Sequence, residues 1–233
     1  MQRLAGPIVL AATFLLPSAR AEGLVQLSFL GSVEPLAGAP VEFEIGAFPV
    51  DSEAGERREH RLQLELHLAP ATSGAELATL IADRLRRLEL GVVAPEPSGD
   101  SAQLFIEAVT FVNVRLGHGL HAIVTSSHGP PTGVRFERPK LNRAAAELVV
   151  SASTAHLHSE ARGLTSFELS IGADVHGAQV AGDLFKAALE ANWKAERPET
   201  DVWTPVKMKD GAELTGFSLA LRSQGDWRIE MRL

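Results

Sequence analysis

Leu62, Leu64, Leu66 and Leu68 alternate with Arg61, Gln63, Glu65 and His67, so an extended chain there carries four leucines on one face and four polar groups on the other. A strand of that kind belongs to a sheet with one wet side. The same period of two appears in Val25-Leu27-Phe29, Val41-Phe43-Ile45, Leu104-Ile106, Val112-Val114-Leu116, Phe167-Leu169-Ile171, Val206-Met208, Phe217-Leu219-Leu221 and Trp227-Ile229-Met231-Leu233. Two segments change to helical spacing. Leu77, Leu80, Ile81, Leu85 and Leu88 fall on one stripe behind Ser73 and Glu76, which have the spacing of a capping box, and Arg84, Arg86 and Arg87 suit the negative end of the helix dipole. The second predicted helix spans residues 178–193, with Val180, Leu184, Phe185, Ala188 and Leu189 inward.

These elements recur in order. A shift of 103 positions lays residues 64–68 over 167–171 and 74–78 over 177–181, with identities at Glu65, Leu66, Gly74, Ala75 and Ala78. With small gaps the downstream strands match as well: Leu104 and Ile106 with Val206 and Met208, Val112 and Leu116 with Phe217 and Leu221, Leu120 and Val124 with Trp227 and Met231. The expected fold class is α+β: two similar modules, each a strand, one amphipathic helix and a three-strand antiparallel meander, with the helix packed on the sheet. Gly129-Pro130-Pro131-Thr132-Gly133 is the linker candidate and places the boundary near residue 140. Residues 22–140 then form the first module, with an N-terminal strand extension, and residues 141–233 the second. Leu66 and Leu169 are expected at equivalent buried positions, as are Leu77 and Val180. The module loosely resembles those of phage-tail and secreted surface-assembly proteins, with no shared motif that transfers a residue role.

The amino terminus reads as a secretory signal peptide over residues 1–21. Arg3 supplies the positive start, Ile8 and Leu16 bound an apolar stretch, Pro17 breaks it, and Ala19-Arg20-Ala21 is a small-x-small cleavage site ahead of Glu22. The stretch is far short of the roughly 20 apolar residues a membrane-spanning helix needs. No later stretch is long and apolar enough to stop transfer, so the expected location is periplasmic or extracellular. Removing Arg3 and Arg20 from the 22 basic residues leaves 20 against 29 acidic ones, a charge of −9, which argues against nucleic acid or anionic lipid as a partner. The chain has no cysteine and no tyrosine, which excludes disulfides, thiolate metal sites, a thiol nucleophile and a lipid-anchoring cysteine.

Candidate chemistry is thin. Gly117-His118-Gly119-Leu120-His121-Ala122 has the letters of a dinucleotide loop, but the following residues alternate as a strand, so a glycine hairpin is expected. His118 with His121, and His156 with His158, are possible ligand pairs that would need Glu160 or His176 to complete a zinc site. Gly99-Asp100-Ser101 reads as a turn rather than an esterase block. The acids at Asp51, Glu53, Glu56 and Glu59, and at Glu196, Glu199 and Asp201 beside Arg197, read as solvated loops. In Ser126-Ser127-His128 the serine and histidine are adjacent and point to opposite faces. Among the tryptophans, Trp193 closes the second helix, Trp227 lies inward, and Trp203 is the exposed aromatic. No catalytic, cofactor-binding or metal-ligating residue is assigned, and no cofactor.

The expected protein is exported and non-catalytic, a binding or surface-assembly protein with a protein or cell-surface partner and no membrane span after signal cleavage. The alternative is a periplasmic hydrolase with its site between the modules. A small outer-membrane barrel is disfavoured by two amphipathic helices and by strand faces rich in Arg and Glu.

Overall fold

The computed structural model describes residues 24–34, 39–49, 58–116, 119–127, 129–137, 145–156, 162–172, 175–198, 200–223 and 227–233. The signal-like segment, residues 1–21, lies outside them. The first half of the chain contributes β1 (Val25–Gly31), β2 (Ala39–Ala47), β3 (His60–Leu68), α1 (Gly74–Arg86), β4 (Val92–Ser98), β5 (Ser101–Ile106), β6 (Val109–Leu116) and β7 (Leu120–Ser126). The second half contributes β8 (Gly133–Glu137), β9 (Ala146–Ala155), β10 (Arg162–Ile171), α2 (Gly177–Glu190), β11 (Trp193–Glu196), β12 (Val202–Met208), β13 (Glu213–Ser223) and β14 (Trp227–Arg232).

Strands make up 59% of the described residues and helix 17%, and all the strands belong to one sheet whose longest path runs β3-β2-β6-β14-β8-β12-β13-β7-β1-β5-β4 and curls into a half-barrel. β9 and β10 branch from β13, and β11 branches from β12. β12 and β13 meet at a single residue pair, Lys207 with Glu213. That pair divides the sheet into two walls, β3-β2-β6-β14-β8-β12-β11 and β10-β9-β13-β7-β1-β5-β4, each holding strands from both halves.

The α+β expectation of two modules, each with a helix on its own sheet, is therefore corrected to a mainly antiparallel β protein. The three-strand meander does not form. β5 pairs with β1 and β4, whereas β6, which follows it closely along the chain, pairs with β2 and β14. Alternation reveals which face a residue occupies and says nothing about which strand lies beside it. The pairing itself repeats along the chain. β2 lies between β3 and β6 as β9 lies between β10 and β13; β1 lies between β5 and β7 as β8 lies between β12 and β14. Across the halves β14 pairs with β6, and β7 with β13.

One core fills the space between the walls. Leu64, Phe43, Val114, Ile229 and Phe136 share one row of the first wall, with Phe167, Val150, Leu219, Val124 and Leu27 on the second. Phe29 meets Phe43 edge-on across the gap, ring centroids 6.5 Å apart, and Trp203 lies 6.1 Å from Phe217 and from Phe167. α1 is capped by Ser73, whose hydroxyl accepts from the Glu76 amide while the Glu76 carboxylate accepts from the Ser73 amide, the expected capping box. Leu77, Ile81 and Leu85 are buried against β1, β4 and β5. α2 ends at Glu190, and Trp193, expected to close the helix, instead opens β11. Leu77 and Val180 are buried as expected, but Leu66 and Leu169 are only half-buried, because β3 and β10 lie at sheet edges. Gly133, expected to end a linker, starts β8, which pairs with β12 and β14.

The outer face of the first wall is a lattice of opposite charges. Arg115 pairs with Glu42 at 2.5 Å, Arg135 with Asp201 at 2.7 Å, and Arg228 lies 3.6 Å from Glu137 and 3.9 Å from Glu44 while donating to Asn113 at 2.8 Å. Arg228 bridges the two halves through Glu44 and Asn113, and the other pairs each lie within one half. The outward rows of the second wall are mostly uncharged, with Ser151, Ser218, Thr125 and Gln26 in one row and Glu168, Val149, Ala220, Ile123 and Ser28 in the next.

Glu59 stands at the rim of the lattice. Thr110 donates a hydroxyl hydrogen bond to its Oε1, and Arg61 donates to Oε2 at 2.8 Å while its guanidinium sits 5.0 Å above the Phe111 ring. The Thr110 bond, reinforced by Arg61 and opposed by burial, holds the Glu59 carboxyl below its ordinary value of 4.5. A lowered folded-state value means this stabilisation is present above the unfolded value and is lost as pH falls through the folded one. Thr110→Val should therefore cost about 1 kcal/mol at neutral pH and progressively less below about pH 4, read from urea melts of both proteins at several pH values. A deficit that stays constant with pH would contradict this role for Thr110.

Candidate functional site: two open strand edges

Four strands end hydrogen-bonded pairing among the described residues: β3, β4, β10 and β11. A free edge presents a row of unpaired N–H and C=O groups, and proteins that do not use such an edge blunt it. β4 is blunted by Pro95 and Pro97, which have no N–H to offer, and by a register shift between Val93 and Glu96. β11 is only four residues long and carries a shift between Lys194 and Ala195. β3 and β10 have neither device. β3 keeps unbroken register with β2 over nine residues and β10 with β9 over ten, and neither contains proline or lysine.

The side chains along these edges are also available. Arg61, Gln63, Glu65 and His67 are exposed on the outer face of β3, and Leu164 on β10 is 69% exposed, the most exposed large apolar side chain among the described residues. Glu65 pairs directly with Glu42 of β2, a like-charge neighbour, and Arg115 engages Glu42 rather than Glu65. The leucine alternation of β3 was legible as a strand with one wet side. That the strand lies at an edge was not, because no residue of β3 itself marks a missing neighbour.

The concave places of the fold are less promising. A shallow hollow of about 480 Å³ lies where α2 begins, lined by Phe136, Glu137, His176, Gly177, Ala178 and Asp201. By the expected boundary near residue 140, Phe136 and Glu137 belong to the first module and the other four residues to the second, whereas by the repeated strand pairing β8 belongs with the second half and all six lie within it. Asp201 is engaged by Arg135, whose own pKa is raised by that hydrogen bond. Where inner faces of the two halves do meet, Val114, Leu116, Leu120, His121, Ala122, Leu221 and Ile229 enclose about 10 Å³, room for one water at most.

The sequence candidates scatter. Gly119 has φ +95° and the chain continues into β7, a strand rather than the helix a phosphate loop requires; Gly117 and His118 lie outside the described residues. His156 lies 3.7 Å from Asp210, while His158, Glu160 and His128 are outside the described residues. His176 is the N-cap of α2, without a side-chain capping bond. No group of three or more His, Asp or Glu residues that could hold a metal ion occurs among the described residues. Gly99, at φ +62°, and Asp100 form the turn between β4 and β5.

Trp203, expected to be exposed, is completely buried. The expectation placed Val206 and Met208 inward; Met208 does pack against the core, but a register shift against β11 falls at Val206, so β12 turns Trp203 and Pro205 inward and leaves Val206 41% exposed. No helix among the described residues is long and apolar enough to cross a membrane. No family model matches the chain, and neither a curated protein nor a solved structure was found to be similar to it.

Proposed function

We propose that this is an exported, non-catalytic contact protein that binds or assembles through its open strand edges. The observation that carries the reading is the contrast among four edges: β4 and β11 are blunted by proline, shortness and register shifts, while β3 and β10 keep unbroken register over nine and ten residues and have no second strand partner among the described residues. An edge of nine or ten residues left in that state is an aggregation hazard unless something pairs with it. Pairing by strand addition takes affinity from main-chain hydrogen bonds and specificity from alternate side chains, so it needs no deep pocket. The signal-like pattern at residues 1–21 supports export.

Selection from a library of extended peptides tests the reading. Selected peptides should slow amide exchange within His60–Leu68 or Arg162–Ile171 and leave β4 and β11 unchanged. A hydrolase would behave otherwise. Turnover of model esters, peptides or glycosides that disappears with His176→Ala or Glu137→Gln would overturn the proposal in favour of the hollow at the start of α2.

A further inference from the structure

We infer that β3 pairs with β3 of a second copy of this chain, antiparallel, about a two-fold axis passing through Gln63. The inference rests on the edge-contact reading above and names the occupant of one edge. An isologous antiparallel pairing joins positions whose numbers have a constant sum, and with Gln63 on the axis every juxtaposition on the outer face is favourable. Arg61 of each copy faces Glu65 of the other, twice over, and Glu59 faces His67. On the inner face Leu62 lies opposite Leu64, which extends the row of the core across the junction.

A second observation points to the same partner. Glu65 sits opposite Glu42 in the β2–β3 register and has no cation of its own among the described residues, since Arg115 holds Glu42 and Arg61 turns to Glu59 and Phe111. A carboxylate placed beside another carboxylate on an open edge is costly unless a positive group arrives from outside. The second copy's Arg61, whose side chain is 62% exposed, reaches it by exchanging its own Glu59 for Glu65, and that Glu59 then faces the His67 brought by the pairing. Axes shifted by one residue lose this match. Centred on Leu64, the pairing sets Arg61 against His67 and Gln63 against Glu65. Centred on Leu62, it sets Arg61 against Gln63 and leaves Glu65 opposite Glu59, carboxylate against carboxylate.

Sedimentation velocity over a concentration series, on protein expressed from its full sequence, tests the inference. A reversible dimer is expected, weakened by salt because the cross-edge pairs are exposed. Glu65→Arg sets arginine against arginine at both ends of the pairing and should weaken the dimer about tenfold or more, while Glu65→Gln should weaken it less. The double variant Arg61→Glu with Glu65→Arg restores opposite charges and should return association to within about threefold of the native protein. Circular dichroism and melting of each variant confirm that it folds, and Glu168→Arg on β10 serves as the control expected to leave the dimer intact. A strictly monomeric protein, a dimer indifferent to Glu65→Arg, or a double variant as weak as the single one would each overturn the β3 pairing. Peptide protection of β10 in the selection experiment would survive any of these results, so failure of self-pairing and failure of the edge-contact reading remain distinguishable.

Discussion

Trp203→Ala should destabilise the protein by about 3–5 kcal/mol, among the largest losses any single truncation here can cause. Trp203, Trp193, Phe167 and Phe217 form one aromatic cluster between the walls. Phe167 meets both indoles edge-on at 5.2 and 6.1 Å, and the two indoles stack at 6.5 Å. Both tryptophans are fully buried, so alanine opens a cavity bounded by strands that cannot collapse into it. The phenylalanine variants separate the two. The Trp193 indole donates to the Thr165 hydroxyl at 3.0 Å, whereas the Trp203 indole N–H is buried without an acceptor among the described residues. Trp203→Phe removes a polar group whose desolvation is uncompensated, worth about 1–3 kcal/mol, which offsets much of the lost packing. Trp193→Phe removes a satisfied donor and strands Thr165. Urea unfolding should therefore rank Trp193→Phe as clearly less stable than Trp203→Phe. The reverse order would mean that the Trp203 N–H has found a partner and that the cluster is built differently.

That cluster also marks where sequence reasoning failed. Within β12, Trp203, Pro205 and Met208 face the core and Val206, at a register shift, faces out, although an apolar pattern selects Val206 together with Met208. A slip of one residue exchanges the two faces of a strand, and a short strand containing proline and a threonine gives the pattern too few positions to decide. β8 was missed for a related reason. Its five residues follow Pro130 and Pro131, whose turn signal outweighs the alternation of Val134 and Phe136. By contrast β3, β10 and α1 were legible because each has either a sustained alternation or a capping signal of its own.

What no local pattern could supply was partnership. β5 and β6 look like successive strands of a meander, yet they enter opposite walls, and the lattice of Glu42, Arg115, Arg228 and Glu137 is assembled from strands distant in sequence. The open edges belong to the same class of fact. Gln63 and Glu65 are ordinary outward residues of an alternating strand until β3 is known to have a neighbour on one side only. The histidine pairs carried the opposite lesson: motif-like spacing attracted notice to His118, His121, His156 and His158, and the described ones among them are not gathered into a metal-binding group.

Glycine substitution at the start of each helix should discriminate sharply, because the 103-residue shift aligns Gly74 with Gly177 and each is the first residue of its helix. A Cβ on Gly177 would stand 2.2 Å from the Phe136 carbonyl oxygen, and one on Gly74 would stand 2.8 Å from the Phe29 carbonyl group. The obstructing atoms are strand backbone, so relief requires the helix to lift from β8 or from β1. Alanine improves helix propensity by at most about 1 kcal/mol, while forced overpacking costs about 1–3 kcal/mol and more where backbone is the obstacle. Gly177→Ala should therefore lower stability by about 2–3 kcal/mol and Gly74→Ala by somewhat less. Gly182, in the middle of α2, has nothing within 4 Å of its added Cβ, so Gly182→Ala should raise stability by about 0.5–1 kcal/mol. Thermal or urea melts of the three variants read the signs directly. A Gly177→Ala protein as stable as the native one would mean that α2 does not lie as close to β8 as Phe136 and Gly177 place it, and the hollow those two residues line would then have a different shape.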